Sequence, residues 1–285
     1  LSDTSDRPPR VGVIQLPGVN CEYETLDALR RAGMEAVLVR WNAGVELVGA
    51  LQGYVLPGGF SFQDRIRGGA VGAKEEIVDL IARESAKGKP VLGICNGAQV
   101  LVEAGLVPGI NPGWVEMGLA PNVMGDRTGY FCRWVFVKIC RRGGGSAFTD
   151  GFGEDEIIPV PVAHGEGRFV SSDPGVLDAV SHGGQVLFRY CDETGEFERP
   201  FPINPNGSWM DAAGICNPQG NVLALMPHPE RAAWLGQVAA AGTGVWGARK
   251  VKSWGNREAM EGPGPGLRLF QSMAGYIMKE GPWPD

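Results

Sequence analysis

Long apolar runs are missing from this 285-residue chain, and no stretch approaches the roughly 20 consecutive apolar residues that a membrane-spanning helix needs. An excess of positive charge is missing as well. With 26 Lys and Arg against 32 Asp and Glu, the net charge of −6 argues against a broad nucleic-acid footprint, though a local basic site for a phosphorylated small molecule stays open. Histidine is scarce, with three copies, and the six cysteines (Cys21, Cys95, Cys132, Cys140, Cys191, Cys216) form no C-x-x-C pair and no zinc-ligand spacing. A metal site is therefore not expected. Residues 1–9 are polar and lack the apolar centre of a signal peptide. Together these absences point to a cytoplasmic protein in a reducing compartment, with most thiols serving as packing residues.

Glycine is abundant, at 44 residues, but it has no fixed period, which excludes collagen-like and solenoid repeats and suggests many tight turns. A hydrophobic content of 44% suffices for one full core. We expect a single domain over 1–285, with 1–10 as a flexible N-terminal extension and the chain as a separate subunit.

The first half alternates strand and helix signals. Apolar runs at 11–16, 36–39, 53–56 and 90–94 read as buried strands, and helical spacing covers 22–32, 70–87 and the residues after Cys95 as far as Ala104. That alternation predicts an α/β fold with a mostly parallel central sheet flanked by helices. The second half offers strands at 134–139, 157–162, 185–190 and 221–226 with few helices between them, which predicts antiparallel additions to the sheet. A last helix is expected at 267–278. Residues 232–266, rich in Gly, Ala and Trp, match no periodic template and read as an irregular insertion.

The most informative segment is Gly93-Ile94-Cys95-Asn96-Gly97-Ala98-Gln99. It follows a predicted strand and opens a predicted helix, the setting of a G-x-nucleophile-x-G elbow. The helix N-terminus would favour thiolate over thiol at Cys95, and the backbone N–H of Asn96 would face an oxyanion. A second segment, Pro57-Gly58-Gly59-Phe60-Ser61, follows its own strand, and Gly59 could bring a second N–H to the same oxygen. A third, Met226-Pro227-His228-Pro229-Glu230-Arg231, sets a carboxylate two residues beyond an imidazole. In extended backbone that places both on one side, the arrangement of a general base and its orienting acid. His164, with Glu166 behind it in Ala163-His164-Gly165-Glu166-Gly167-Arg168, has the same spacing. Spacing alone does not choose between the two histidines. His182, beside Gly183-Gly184, reads as a loop residue.

These segments, with Pro17-Gly18-Val19-Asn20-Cys21 and Asn204-Pro205-Asn206-Gly207-Ser208, resemble the class I (triad) glutamine amidotransferases over nearly the whole chain. The H-G-E-G-R and N-P-N-G-S runs are closest to the glutaminase subunits of phosphoribosylformylglycinamidine synthases. The resemblance implies a flavodoxin-like fold and a Cys95–His228–Glu230 triad. It implies oxyanion or substrate contacts from Gly59, Asn96 and Gln99, and a loop of His164, Glu166 and Arg168 that meets the partner or shapes the ammonia exit. It also implies a cysteine thioester formed from glutamine. Ammonia would be delivered to a large synthetase subunit, with a small bridging subunit as a further candidate partner. ATP and Mg would be expected on the synthetase, since this chain has no G-x-x-x-x-G-K-[ST] loop, and no nucleic acid or membrane is implied. The family's Ser-Tyr-Gly-Asp is replaced by Ser61-Phe62-Gln63-Asp64, which alters the local loop but leaves Gly59 in place. Rival readings are an amidotransferase of another pathway, a γ-glutamyl hydrolase of related fold, and a catalytically silent assembly module.

Overall fold

The computed structural model describes residues 7–140, 145–281 and 283. Of the expected N-terminal extension, residues 1–6 lie outside the described residues, while Arg10 already belongs to the first strand. The first half builds β1 (Arg10–Gln15), α1 (Glu22–Arg31), β2 (Glu35–Arg40), α2 (Val45–Gly49), β3 (Gly53–Leu56), α3 (Glu76–Ala86), β4 (Val91–Ile94) and α4 (Asn96–Glu103). β3 and β4 are buried at every position, which explains their unbroken apolar sequences. The second half adds β5 (Gly118–Pro121), β6 (Phe131–Ile139), β7 (Ile157–His164), β8 (Glu166–Val170), α5 (Pro174–His182), β9 (Val186–Cys191), β10 (Ala212–Cys216) and β11 (Val222–Leu225). The chain closes with α6 (Gly244–Lys252), α7 (Arg257–Glu261) and α8 (Leu267–Glu280).

The main sheet runs β2-β1-β3-β4-β11-β10-β9-β6-β7. Strands β2, β1, β3, β4 and β11 are parallel, and β10, β9, β6 and β7 continue the sheet antiparallel. β5 and β8 form a separate antiparallel pair. The α/β architecture and the antiparallel second half are those expected. Among the described residues no helix is long and apolar enough to cross a membrane.

Several elements differ from the sequence reading. The helix expected over 70–87 starts at Glu76, because Glu75 is extended (φ −76°, ψ 139°) and a short 3-10 turn, Gly72–Lys74, precedes it. β10 went unrecognised because Ala-Ala-Gly-Ile-Cys shows no alternation, being buried on both faces. α5 was not expected: Asp173 caps the helix by accepting from the Gly175 N–H at 2.8 Å, and Pro174 opens its first turn. His182 ends this helix, its Nδ1 2.7 Å from the Asp178 carbonyl oxygen, so it is not a loop residue. The segment 232–266 is not irregular throughout, since it contains α6 and α7; their brevity and the Gly residues around them hide the helical period. The H-G-E-G-R run is not a loop either: His164 ends β7 and Glu166–Val170 forms β8.

The sheet order explains how distant residues meet. β3, β4 and β11 are adjacent and parallel, with Leu56 opposite Gly93 and Ile94 opposite Leu225. Their C-terminal ends therefore share one edge, where the Gly58-Gly59 turn, Cys95 and His228 all emerge, the usual place for chemistry in an open α/β sheet. The elbow is tight: a Cβ on Gly97 would collide with the Leu56 carbonyl oxygen, and one on Gly93 would sit 2.5 Å from the Gly97 carbonyl oxygen. Gly97→Ala is accordingly expected to displace the elbow, lowering the thermal midpoint by several degrees for a domain of this size. Thermal unfolding of the purified variant measures this, and an unchanged midpoint with full activity would refute the packing argument.

Candidate active site

Cys95 sits between β4 and α4 at φ 51° and ψ −104°, left-handed backbone that a non-glycine residue adopts only under external constraint. Two contacts supply the constraint. The Cys95 N–H donates to the Leu225 carbonyl oxygen at 2.8 Å, and the Gln99 N–H donates to the Cys95 carbonyl oxygen at 3.1 Å. The side chain is 6% exposed, and its thiol lies 3.6 Å from the Ala163 carbonyl oxygen at the end of β7.

His228 follows β11 and is buried, as is Glu230. The backbone between them is not extended: Pro229–Ala232 is a 3-10 turn with His228 as its leading residue. That turn folds the carboxylate back onto the ring, so Glu230 Oε1 and His228 Nδ1 are 2.5 Å apart. His228 Nε2 has no hydrogen-bond partner among the described residues. It is the nitrogen left available for proton transfer. Burial pushes the imidazole toward its neutral form. The Glu230 carboxylate outweighs this, with the charge of Cys95 and the Cys21 sulfur adding to it, and together they hold His228 well above its ordinary value. Cys95 and His228 emerge at the same edge of the sheet, directly after the paired strands β4 and β11.

Cys21 lies on the other flank. Its sulfur is 4.0 Å from His228 Nδ1, its thiol donates to Asn20 Oδ1 at 3.2 Å, and Arg231 Nη2 donates to it at 2.9 Å. Cys21, His228 and Glu230 offer donor atoms within 4.8 Å of one another, a grouping that could interest a cation. The Arg231 guanidinium already supplies positive charge there, and Nδ1 is committed to Glu230. We read the cluster as the buried flank of the acid–base pair. Its signal in the sequence was the Pro17–Cys21 run, which carried no chemistry by itself.

Gly59 (φ 148°) bridges to Val19, and a Cβ there would come within 2.5 Å of Val19 Cα. The Asn20 and Cys21 N–H groups both donate to the Gly58 carbonyl oxygen, at 3.1 and 3.2 Å. Among the described residues, neither the Gly59 nor the Asn96 N–H has a protein acceptor. Beyond Gly59 the departure noted at 61–64 takes a distinct shape, with Phe62, Gln63 and Asp64 all at positive φ. Asp64 Oδ1 accepts from Asn96 Nδ2 at 3.1 Å, and burial followed by the nearby Glu166 raises the Asp64 carboxyl above its usual range.

The remaining expected residues fall into place differently. Gln99, read as a substrate contact, has its amide engaged by protein: Nε2 donates to the Glu166 carbonyl oxygen at 2.8 Å and Oε1 accepts from Asn96 Nδ2 at 2.9 Å. His164 is buried, with Nδ1 3.1 Å from Asn122 Oδ1, and burial with His228 nearby drives it down to about 3, so it stays neutral. The Glu166 carboxylate accepts from the Gly68 N–H at 3.1 Å, and Arg168 Nε donates to the Pro121 carbonyl oxygen at 3.0 Å. Asn122, an isolated residue with no motif, escaped sequence reading, as did Tyr130, whose hydroxyl donates to the Ala163 carbonyl oxygen at 2.9 Å beside the thiol.

A thiol on a strained elbow, a carboxylate-held imidazole and two free amide N–H groups gather at one edge of the sheet, an arrangement suited to cysteine acyl transfer. The chain belongs to the glutamine amidotransferases: the family model of the CobB/CobQ-like glutamine amidotransferase domain matches residues 8–277. Within that class it is similar to proteins named phosphoribosylformylglycinamidine synthase subunit PurQ. The one from Methanothrix thermoacetophila is 43% identical, the match covering 94% of this chain and 98% of that relative. The one from Pyrococcus horikoshii is 39% identical over 78% of this chain and 89% of its own length. Among solved structures, a chain of PurLQS from Thermotoga maritima superposes with a TM-score of 0.69 at 31% identity, covering 95% of this chain and 99% of that one.

The His228–Glu230 pair generates a pH prediction. A histidine whose native pKa is raised adds stability that is complete below its unfolded value, about 6.5, and is lost as pH rises through the native value. Glu230→Gln removes the largest raising influence. The alkaline limb of glutamine turnover should therefore move to lower pH, and the pH dependence of the thermal midpoint on that side should flatten. A pH–rate profile with an unmoved alkaline limb would show that Glu230 does not set the charge of His228.

Proposed function

We propose that Cys95 is the nucleophile, His228 the general base and acid, and Glu230 the orienting carboxylate of a glutaminase that supplies ammonia to a phosphoribosylformylglycinamidine synthase. The observation that carries this is the shared edge of β4 and β11, which sets the strained Cys95 elbow beside a buried imidazole held by a carboxylate.

In the mechanism, the Cys95 thiol gives its proton to His228 Nε2 as the sulfur attacks the side-chain amide carbon of glutamine. The oxygen gains negative charge between the Gly59 and Asn96 N–H groups, which water would otherwise have to stabilise. His228 gives a proton to the nitrogen as the C–N bond breaks, releasing ammonia and leaving a glutamyl thioester. The same Nε2 then takes a proton from water as the water oxygen attacks the thioester, and passes it to the Cys95 sulfur as the C–S bond breaks, releasing glutamate and restoring the thiol. Glu230 holds the ring through Nδ1 and stabilises the imidazolium.

The names of the relatives, and the assembly named in the Thermotoga structure, support delivery of the ammonia to a large synthetase subunit that converts formylglycinamide ribonucleotide to formylglycinamidine ribonucleotide. A small bridging subunit fits the same assembly. ATP and Mg act on that partner, and this chain contributes ammonia alone. Six free thiols accord with a cytoplasmic site of action.

Cys95→Ala should abolish glutamine-dependent synthesis by at least about 10⁴-fold, as loss of a nucleophile does in comparable triads. Synthesis driven by added ammonium salt in the same complex should persist. Cys21→Ala and His164→Ala should keep covalent trapping of Cys95 by a glutamine-analogue electrophile. Full glutamine turnover in Cys95→Ala, or trapping that follows Cys21 instead, would reassign the nucleophile.

A further inference from the structure

Behind the elbow, polar side chains that take no part in bond making form one continuous hydrogen-bonded path. It begins in the N-P-N-G-S run. Asn206, fully buried, donates from Nδ2 to the Gly167 carbonyl oxygen at 2.7 Å, and Ser208 Oγ accepts from the Phe169 N–H at 3.1 Å. From the opposite side Asn122, also fully buried, donates from Nδ2 to the His164 carbonyl oxygen at 2.8 Å, and its Oδ1 accepts from the Gly167 N–H at 3.1 Å. The β7–β8 turn is thus pinned by two buried amides.

The carbonyl of Glu166, next along that turn, accepts from Gln99 Nε2 at 2.8 Å. Gln99 Oε1 accepts from Asn96 Nδ2 at 2.9 Å, and Asn96 Oδ1 accepts from the Ser61 N–H at 2.9 Å. Asn96 carries one free amide of the site, and Ser61 stands two residues beyond Gly59, which carries the other. Gln99 sits tightly against Gly68 and Gly69: a Cβ on Gly68 would lie 2.5 Å from its Cδ, and one on Gly69 would lie 2.8 Å from its Cβ.

From this path we infer that the relay Asn206–Gly167–Glu166–Gln99–Asn96–Ser61 fixes the spacing of the Gly59 and Asn96 amides, making Asn206 and Gln99 positioning residues for glutamine cleavage. This deepens the proposed function and rests on it. Oxyanion donors act only when they lie about 2.7–3.1 Å from the oxygen that gains charge. The Asn96 side chain ties the two donor segments together, and its orientation depends on Gln99, whose own orientation depends on a Glu166 carbonyl that Asn206 and Asn122 immobilise. Loosening the relay therefore weakens transition-state binding and leaves binding of the uncharged substrate carbonyl nearly untouched, which lowers kcat and spares KM.

Two variants test this in the assembled synthetase complex. Asn206→Asp keeps the shape and the acceptor used by the Ser208 N–H but removes the donor to Gly167. Gln99→Met keeps the length and removes both hydrogen bonds. Competent sites are counted with a glutamine-analogue electrophile, so a misfolded fraction does not enter the rate, and ammonia-driven synthesis checks that the complex is intact. Each variant is expected to lose about tenfold in kcat per competent site, a part of the hundred- to thousandfold typical of a deleted donor, with KM within about twofold. Unchanged kcat per competent site in Asn206→Asp would leave that residue a purely structural role and overturn the relay. A large rise in KM with kcat preserved in Gln99→Met would make Gln99 a substrate ligand and overturn it equally. Absence of glutamine turnover in the wild-type complex would instead sink the glutaminase reading, since the relay is judged only on variant-to-wild-type ratios.

Discussion

The site depends first on the parallel pairing of β4 with β11. Residues 94 and 225 lie opposite each other in that register, and the Cys95 N–H continues the ladder by donating to the Leu225 carbonyl oxygen at 2.8 Å. A parallel pair delivers both C-terminal ends to the same edge, so a thiol and an imidazole more than a hundred positions apart become neighbours without either loop being long. The same hydrogen bond helps hold Cys95 in left-handed backbone. Pairing and strain are therefore not independent: the strand register that unites the two side chains also stabilises the conformation that turns the sulfur outward.

The second constraint is the handling of charge in a dry site. His164 and His228 share the H-x-E spacing and both are buried, yet burial drives one down to about 3 while the other stays well above its ordinary value. The difference lies in the backbone after each ring. Beyond His164 a bend at Gly165 carries the chain out of the main sheet into β8, which sends the Glu166 carboxylate to the Gly68 N–H and leaves the ring an amide partner, Asn122. Beyond His228 the 3-10 turn that opens at Pro229 curls the chain back, so Glu230 reaches Nδ1. An amide oxygen cannot hold a buried imidazolium as a carboxylate can.

This explains how much could be read from the sequence. The βα alternation of the first half, the elbow and the Gly-Gly turn were visible because each is a local signal: a run, a spacing, a glycine where a side chain would collide. The choice between His164 and His228 was not visible, because two-residue spacing has opposite consequences at a bend between two strands and in a 3-10 turn. The resemblance made that choice, and the two rings differ in partner, an amide for His164 and a carboxylate for His228. β10 was hidden by burial on both faces, and α6 and α7 by brevity. Asn122, Asn206 and Cys21 matter through partners far away in sequence, and no local pattern announces such partners.

The segments that carry the chemistry, after β1, β3, β4 and β11, are loops and turns, elements that usually tolerate movement. Here they are tied by buried polar groups: Asn96 to Ser61 and Asp64, Asn20 and Cys21 to Gly58, Arg231 to Cys21. Apolar packing would bring these segments together but would tolerate sliding, since it has no direction. Hydrogen bonds in a site this buried are directional, and a mismatch leaves an unpaired group at real cost. An acyl-transfer site needs its donors placed to within a few tenths of an ångström. The abundance of asparagine and glutamine side chains behind the thiol, where a packed core would place leucine, follows from that need for direction.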